Sequence, residues 1–239
     1  MPLEDWTDPE TARAWDADQT THNPTRAEQL DIMLTIIEDH YKQGKRILDV
    51  GIGSGIVEEM LFRRVPGAYV VGVDMSEAMV ALAHNRLKPY VAQYEIALHD
   101  LRDIALFTLP AGEYQIAFSV QVIHNVADEY KRRIFEWIYG VLEEGGLFLL
   151  LDRMAVQSPT LFGAYKSAWD RLDRAEGTRM REGSTFEQHT SIVRDRGDQP
   201  AGLEEHLQWL RACGFDVAVL HLHANRALIV CRKGTASGE

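Results

Sequence analysis

Three glycines and one aspartate stand at positions where they could hold a nucleotide-like ligand. Gly51, Gly53 and Gly55 follow the apolar segment RILDV, and glycine lets the backbone turn sharply and approach a ligand closely. The N-terminus of a following helix would add backbone N–H donors at that point. Asp74 ends a second apolar segment, AYVVGVD, where a carboxylate can accept both hydroxyl hydrogens of a ribose. The spacing predicts a cofactor crevice, with a helix-capping role as the alternative for Asp74.

The residues after the glycines discriminate between cofactors. A dinucleotide fingerprint has glycine at position 56, for close packing against the helix, and this chain has Ile56. A phosphate-binding loop ends in Gly-Lys-Ser/Thr, and Gly55-Ile56-Val57 supplies neither the lysine nor the hydroxyl. The sequence therefore disfavours nucleotide hydrolysis and weakens the case for hydride transfer with NAD.

The elements that position these residues alternate between strand and helix. Five apolar segments, RILDV, AYVVGVD, YEIAL, YQIAFS and LFLLLD, predict buried strands, the last beginning after a break at Gly145-Gly146. Helical spacing predicts four helices: over 25–41, over 56–64, directly after Ser76, and directly before position 142. Thr25 and Glu28 form a possible capping box for the first helix, and Ser76 is the predicted N-cap of the third. Strands separated by helices predict a parallel sheet with right-handed crossovers and both faces covered.

The end of the chain follows a different pattern. A helix over 203–213 is predicted to stop at Gly214, and FDVAVLHLH and RALIVCRK then form an antiparallel hairpin that turns near Ala224-Asn225. The stretch 153–202 is the least regular, with a helix around 161–172 followed by a polar segment that we interpret as a lid or loop. Trp6, Trp15, Tyr165 and Trp169 could form an aromatic acceptor pocket, although ordinary packing is the simpler interpretation.

Four motifs together resemble those of the class I S-adenosylmethionine (SAM)-dependent methyltransferases. They are ILDVGIGSG, VVGVDMSEAMVALA, LHDLRD and VLEEGGLFLLLD, and the resemblance spans Arg46 to Asp152. It implies an α/β fold with a doubly wound, mostly parallel seven-stranded sheet, a C-terminal antiparallel hairpin and helices on both faces. It also implies a single SAM-binding domain over 1–239, with an N-terminal helical cap over 1–43 and an insertion or lid over 153–202.

The same resemblance implies roles for individual residues. Gly51 and Gly53 would lie under the methionyl part of SAM. Asp74 would bind the ribose hydroxyls and Met75 would lie against the adenine. Asp100 would accept from the adenine amino group, with the Leu101 backbone beside it, although Asp100 or the nearby Asp103 could instead start a helical turn.

The segment SVQVIHNV, beginning at Ser119, would line the methyl-donor side. Gln115 and Asn125 depart from the pattern, because many relatives have an acidic residue and a histidine there.

Histidines are the candidate bases and metal ligands. His124 follows the fourth strand, where open α/β sheets place ligands, so it is a candidate general base. A histidine that only packs or caps the next helix is the simpler alternative. His221 and His223 share one strand face, but the sequence shows no third metal ligand, so we predict no metal site.

Composition limits the possible partners. The formal charge of −11 disfavours broad contact with nucleic acid or anionic lipid, although Arg171, Arg174, Arg179 and Arg181 could form a local basic patch. No apolar run is long enough for a membrane span, and the acidic N-terminus predicts a cytoplasmic protein. Cys213 and Cys231 are predicted to be buried thiols.

We therefore expect methyl transfer from SAM to a small organic acceptor. RNA modification, transfer from a modified SAM, and a non-catalytic SAM-binding regulatory module are the alternatives. The sequence leaves the acceptor, its nucleophilic atom and the oligomeric state open.

Overall fold

A computed structural model describes residues 8–18, 25–177 and 182–235. Its sheet has seven strands in the order β3-β2-β1-β4-β5-β7-β6. The strands are β1 (Arg46–Val50), β2 (Tyr69–Asp74), β3 (Tyr94–Leu98), β4 (Tyr114–Val120), β5 (Leu142–Arg153), β6 (Phe215–His223) and β7 (Arg226–Lys233). The helices are α1 (Pro9–Asp18), α2 (Arg26–His40), α3 (Ile56–Arg64), α4 (Glu77–Arg86), α5 (Asp128–Val141), α6 (Phe162–Glu176), α7 (Phe186–Arg196) and α8 (Leu203–Ala212). Four short 3-10 helices cover Lys88–Tyr90, Leu101–Leu106, Ile123–Asn125 and Pro159–Leu161.

The first five strands run parallel, as the alternation of strands and helices predicts. β1 pairs with β2 on one side and with β4 on the other, so the strand order reverses between β1 and β4. In open α/β sheets a ligand crevice lies outside the carboxyl ends of the strands at such a reversal. The predicted fold is confirmed, and it brings the segments after β1, β2 and β4 to one edge.

Two apolar cores cover the two faces of the sheet. One contains the inward side chains of α5 and α8, including Ile134, Ile138 and Leu210, and the other contains those of α2 and α3, including Met33 and Leu61. β4 is buried along its whole length. Burial on both faces explains why these strands are continuous apolar runs without alternation. None of the helices in the described ranges combines the length and apolar character that a bilayer crossing requires.

The C-terminal hairpin has the predicted form. β7 pairs antiparallel with both β5 and β6, and the chain turns at Ala224, which has a φ of 50°. Gly214 follows α8 with a φ of 103°, which agrees with the predicted stop. β7 is therefore antiparallel to both of its neighbours in the sheet.

Three local predictions are wrong. Thr25 precedes α2 with helical backbone angles and its side chain makes no capping hydrogen bond, so the predicted capping box does not form. Gly145-Gly146 lies within β5 rather than before it, because a register shift against β4 accommodates the positive φ of Gly145. The polar part of 153–202 contains α7, whose N-cap Thr185 accepts from Gln188 N, and Gly197 ends that helix.

Candidate functional site

A cavity of about 830 Å³ opens at the carboxyl edge of the sheet, at the reversal of strand order. Residues from the ends of β1, β2, β4 and β5 line it, together with residues of α1, of the start of α2 and of the turn after α7. Of the residues that the sequence points to, the cavity wall includes Gly51, Gly53, Asp74, Met75, Asp100, Leu101, His124 and Asn125. We call the wall near Asp49, Asp74 and Asp100 the acidic end.

The glycine turn after β1 requires glycine at position 51. Gly51 has a φ of +99°, and a Cβ atom there would lie 2.3 Å from Cγ2 of Val122. The backbone N–H groups of Gly51 and Ile52 both donate to the Val73 carbonyl, which fixes the turn against β2. A residue with a side chain would therefore displace the loop after β4 as well as strain the turn.

Asp74 joins the ends of β1 and β2. Its Oδ2 accepts from Gly53 N at 2.8 Å and its Oδ1 accepts from Ser76 N at 2.9 Å. Burial raises the pKa of Asp74, and the backbone hydrogen bonds oppose that rise. Each carboxylate oxygen can accept a second hydrogen bond, so the group retains capacity for hydroxyl donors of a ligand. Ser76 caps α4 as predicted, by accepting from Met79 N.

Asp49 and Glu58 form a buried pair of carboxyl groups beneath the glycine turn. They are 2% and 0% exposed, and burial raises the pKa of both, that of Glu58 to about 7. Coulombic repulsion from Glu58 and Asp74 adds to the rise at Asp49. The sequence carries one signal for this pair, because a charged residue, Glu58, stands among the apolar positions of IVEEMLF.

Asp100 follows β3 and is paired with its neighbour. Its carboxylate accepts from Arg102 N at 2.8 Å and from Arg102 Nε at 2.9 and 3.0 Å, and the side-chain bond lowers the pKa of Asp100. It also caps the short helix that begins at Leu101, as the alternative interpretation of this residue held. Met75 is 46% exposed on the same wall, which presents a large apolar side chain to the cavity.

Ser119 lies apart from the other candidates. It is fully buried within β4, its hydroxyl donates to the Val50 carbonyl at 2.7 Å, and it does not line the cavity. The segment that begins at Ser119 instead reaches the cavity through Val120, Gln121 and Val122. The position along the strand explains the difference, because β4 ends at Val120 and Ser119 lies inside the strand, before its carboxyl edge.

His124 and Asp152 form a buried dyad at the cavity. Nδ1 of His124 lies 2.5 Å from Oδ1 of Asp152, and the other oxygen of Asp152 accepts from His124 N at 2.9 Å. Burial would raise the pKa of Asp152, but the charge and hydrogen bond of His124 lower it overall. A carboxylate at Nδ1 favours the tautomer that carries its proton there, which leaves Nε2 as a proton acceptor. Asp152 was missed, although it ends a strand as Asp74 does.

The segment after β5 is tied to the loop that carries His124. Gln199 N donates to the His124 carbonyl at 2.6 Å, and the buried Lys131 ammonium donates to the carbonyls of Val126 and Gln199. Nε2 of His124 lies 3.9 Å from Oδ1 of Asp198. The region predicted as a lid therefore supplies residues to the cavity wall beside the dyad.

Arginines surround this part of the cavity, which we call the basic end. Its lining residues are Arg26, Arg153, Arg196, Arg226 and Asp198. Asp198 accepts from Arg153 Nη1 at 2.8 Å, and Glu182 behind the wall accepts from Arg226 Nη2 at 2.9 Å. Burial would raise the pKa of Glu182. The charges of Arg153, Arg226 and Arg196 and a hydrogen bond with His189 instead hold that pKa well below its usual range.

The predicted aromatic pocket is divided between two places. Trp15 of α1 lines the cavity, whereas Trp169 is buried against Phe162 and His189 in a small separate core that Tyr165 joins. Asp16 anchors α1 over the site by accepting from Arg86 and from the Ser54 hydroxyl. Trp6, and Arg179 and Arg181 of the predicted basic patch, lie outside the described residues.

His221, one of the two histidines considered as metal ligands, is hydrogen-bonded to α2. Gln29 Nε2 donates to Nδ1 of His221 at 3.0 Å. In the part of the chain that the structure describes, no group of three His, Cys, Asp or Glu side chains is placed to hold a metal ion. Cys231 is buried and Cys213 half-buried, and both are free thiols.

Gln115 has a structural role away from the cavity. Its Oε1 accepts from Lys42 N at 2.8 Å and its Nε2 donates to the His40 carbonyl at 2.9 Å, which joins the end of α2 to the start of β4. We expect Gln115→Glu to lower the free energy of unfolding by about 1.5 kcal/mol, because a carboxylate cannot donate to that carbonyl. Urea unfolding measures this loss. Gln188→Glu makes the same change in an exposed side chain and is the control. Equal free energies of unfolding for Gln115→Glu and wild type would contradict the structural role of Gln115.

The fold and the crevice define an α/β protein of the Rossmann-like class that binds a ligand at the switch point of its sheet. Comparison with known proteins narrows the class. A family profile described as "Methyltransferase domain" matches residues 47–146. The chain is 29% identical over 125 residues to the Ubiquinone biosynthesis O-methyltransferase of Coxiella burnetii, covering 52% of this chain and 47% of that protein. It is 35% identical over 111 residues to the Demethylmenaquinone methyltransferase of Thermus thermophilus, covering 46% and 48%.

The chain thus spans about half the length of the curated relatives it matches. Among solved structures, phosphoethanolamine N-methyltransferase 2 of Haemonchus contortus, in complex with phosphomonomethylethanolamine and S-adenosylhomocysteine, superposes with a TM-score of 0.70 at 17% identity. It covers 98% of this chain and 62% of that one. An O-methyltransferase family protein from Burkholderia thailandensis gives 0.64 at 14% identity, covering 97% and 64%. Residues 47–146 are therefore similar to a methyltransferase domain, and the chain shares the fold of these solved methyltransferase structures.

Proposed function

We propose that the protein transfers the methyl group of SAM to a hydroxyl oxygen of a small organic molecule and releases S-adenosylhomocysteine. The observation that carries this proposal is the His124–Asp152 dyad, which lies on the same cavity as the glycine turn and Asp74. The Coxiella burnetii relative is an O-methyltransferase of ubiquinone biosynthesis, which agrees with an oxygen acceptor.

The acidic end fits SAM. Gly51 keeps the turn after β1 packed against the loop after β4, since any Cβ atom there would meet Val122, and this tight turn lines the cavity. Asp74 offers carboxylate oxygens to ribose hydroxyls, and Met75 and Leu101 offer apolar contact to an adenine ring beside Asp100. We assign Gly51, Gly53, Asp74, Met75, Asp100 and Leu101 to the cofactor. When bound, SAM supplies a methyl group that is activated by its positively charged sulfur.

The remaining residues prepare the acceptor. Nε2 of His124 accepts the hydroxyl proton as the oxygen attacks, and Asp152 stabilises the imidazolium that forms. Asp152 is fully buried and holds both the ring and the backbone N–H of His124, so the ring keeps its orientation. α1 and the turn after α7 form part of the cavity wall, and exclusion of water by a bound acceptor would strengthen these electrostatic interactions.

The proposed function gives separate roles to the two ends of the cavity wall. We propose that residues 1–239 act as a single SAM-binding domain, in which the region 1–43 caps the cofactor and the region 153–202 closes over the acceptor. The contacts of Asp16 with Ser54 and Arg86, and of Gln199 with His124, support this division.

The test is an assay of the purified protein with SAM and a panel of phenols and catechols, with S-adenosylhomocysteine and the methylated product both measured by mass spectrometry. We expect stoichiometric release of both products with at least one acceptor. A protein that binds S-adenosylhomocysteine but methylates none of the panel would favour the non-catalytic module. Methylation of RNA in a parallel arm would favour the RNA-modifying alternative.

A further inference from the structure

The cavity is electrostatically divided. Three carboxyl groups, those of Asp49, Asp74 and Asp100, line the acidic end together with Arg102, whereas four arginines and Asp198 line the basic end beside His124. Carboxylates suit the hydroxyl and amino donors of SAM, but they do not explain a concentration of guanidinium groups on the side of the dyad. The arginines therefore point to a second ligand group of opposite charge.

Two of the arginines oppose each other across the sheet. Arg153 and Arg226 are direct partners in the antiparallel register of β5 and β7, and they are 7% and 3% exposed. Like charges directly opposite each other destabilise a sheet, and buried charges are costly unless they are compensated. Glu182 and Asp198 are the carboxylates that accept from this pair. Arg196 also acts on Glu182, so in the described part of the chain three guanidinium groups lie around these two carboxylates.

Arg26 adds charge from another element. It begins α2 and is 5% exposed, and its guanidinium lies 5.9 Å from the centre of the Trp15 ring. It forms no ion pair with any carboxylate whose side chain the structure describes. Burial lowers the pKa of Arg26 to about 10, so the side chain remains charged at neutral pH. A buried cation on a cavity wall is suited to an anionic ligand.

We propose that the basic end binds an anionic group, a carboxylate or a phosphate, on the methyl acceptor. This inference rests on the proposed function and adds the substrate class to it. Arginine binds such groups with its planar fork of donors, often through two parallel hydrogen bonds. Because Asp198 lies 3.9 Å from Nε2 of His124 and also holds Arg153, the anion site and the base share one wall. A small hydroxylated acid can therefore place its hydroxyl at His124 while its anionic group contacts the arginines.

Calorimetry on the protein saturated with S-adenosylhomocysteine tests this assignment with three probes of similar shape. The probes are 4-hydroxybenzoate, 4-hydroxyphenyl phosphate and 4-hydroxybenzamide. We expect at least one of the two anions to bind about 10- to 100-fold more tightly than the amide, as charge-assisted hydrogen bonds predict. Whichever anion binds more tightly identifies the group. Arg26→Met should abolish the preference, and Arg63→Met, in a side chain that is 63% exposed on α3, should retain it.

Other results would overturn the inference. Equal binding of anions and amide by the wild-type protein would do so, as would no binding of any probe. So would an Arg26→Met variant that keeps the preference but loses affinity for S-adenosylhomocysteine, because Arg26 would then hold the carboxylate of the cofactor. If Arg26→Met does not fold, Arg196→Met, in a half-buried side chain at the same end, carries the same test. Failure of the proposed function is distinct, since it appears as a wild-type protein that does not bind S-adenosylhomocysteine, or that binds it but methylates no acceptor of the panel.

Discussion

Replacing His124 by glutamine should lower kcat for a phenolic acceptor by about 10²- to 10⁴-fold, the usual contribution of a positioned general base. Glutamine occupies similar space but cannot take up the proton of the attacking hydroxyl. The side-chain hydrogen bonds of the dyad within the described residues join His124, Asp152 and Arg153 and not the glycine turn, so affinity for S-adenosylhomocysteine should be unchanged. Steady-state kinetics and calorimetry on the same preparations measure the two quantities.

The pH profile separates catalysis from packing. A histidine base gives the wild-type kcat/KM a descending limb at acidic pH, and His124→Gln should lose that limb. Asp152→Asn should also lower kcat, because an amide facing Nδ1 favours the tautomer with its proton on Nε2. The two changes together should cost little more than His124→Gln alone, since the residues act as a unit.

The exposed His84→Gln is the control, because His84 lies on α4 outside the cavity wall. Near-normal kcat in His124→Gln, with an unchanged pH profile, would reduce His124 to the alternative role of packing beside the next helix.

Replacing Glu58 by glutamine should stabilise the protein by about 3 kcal/mol at pH 8, relative to wild type. Burial raises the pKa of Glu58 from 4.5 to about 7 in the folded protein. Between those values the folded state retains a proton that the unfolded state has released, so the wild-type free energy of unfolding falls as pH rises from 4.5 to 7. Above the raised pKa of Glu58, the contribution of this side chain to the loss is complete. Glutamine mimics the protonated carboxyl group and removes this dependence.

Urea unfolding of both proteins between pH 5 and pH 8 measures the effect. The stabilisation of Glu58→Gln relative to wild type should be small at pH 5 and grow with pH. As pH rises, Glu58 of the wild-type protein becomes charged beside Asp49, whereas glutamine stays neutral. Glu38→Gln, in an exposed side chain of α2, should show no such growth. A difference between Glu58→Gln and wild type that stays flat across this range would refute the buried, charge-coupled pair.

The sheet could be predicted from the sequence because each strand and its turn carry local signals. RILDV followed by glycines, AYVVGVD ending in Asp74, and the hairpin around Ala224-Asn225 depend on burial and on turn chemistry within about ten residues. The motifs also pointed to residues that line the acidic end of the cavity, among them Asp74 and Asp100. Ser119 does not line the cavity because it lies inside β4, and the sequence does not mark the exact residue at which a strand reaches the edge of the sheet.

The other side of the cavity depends on contacts between distant segments. His124 and Asp152 are 28 residues apart, and Arg153 joins Asp198 and Glu182 across the region 153–202. No local period marks such pairs, so the dyad partner and the basic end emerge only from the fold. α7 is different, because Thr185 and Gln188 have the spacing of a capping box and Gly197 follows the helix.

Calorimetric titration with S-adenosylhomocysteine, with NAD as the parallel ligand, tests most directly that the crevice at the carboxyl edge of the sheet, where the strand order reverses between β1 and β4, holds SAM. We expect micromolar binding of S-adenosylhomocysteine and no binding of NAD. We also expect Asp74→Asn to weaken binding about 10- to 100-fold, because it loses a charged acceptor of hydroxyl hydrogen bonds. Clear binding of NAD without binding of S-adenosylhomocysteine would contradict the account and redirect the search to hydride transfer.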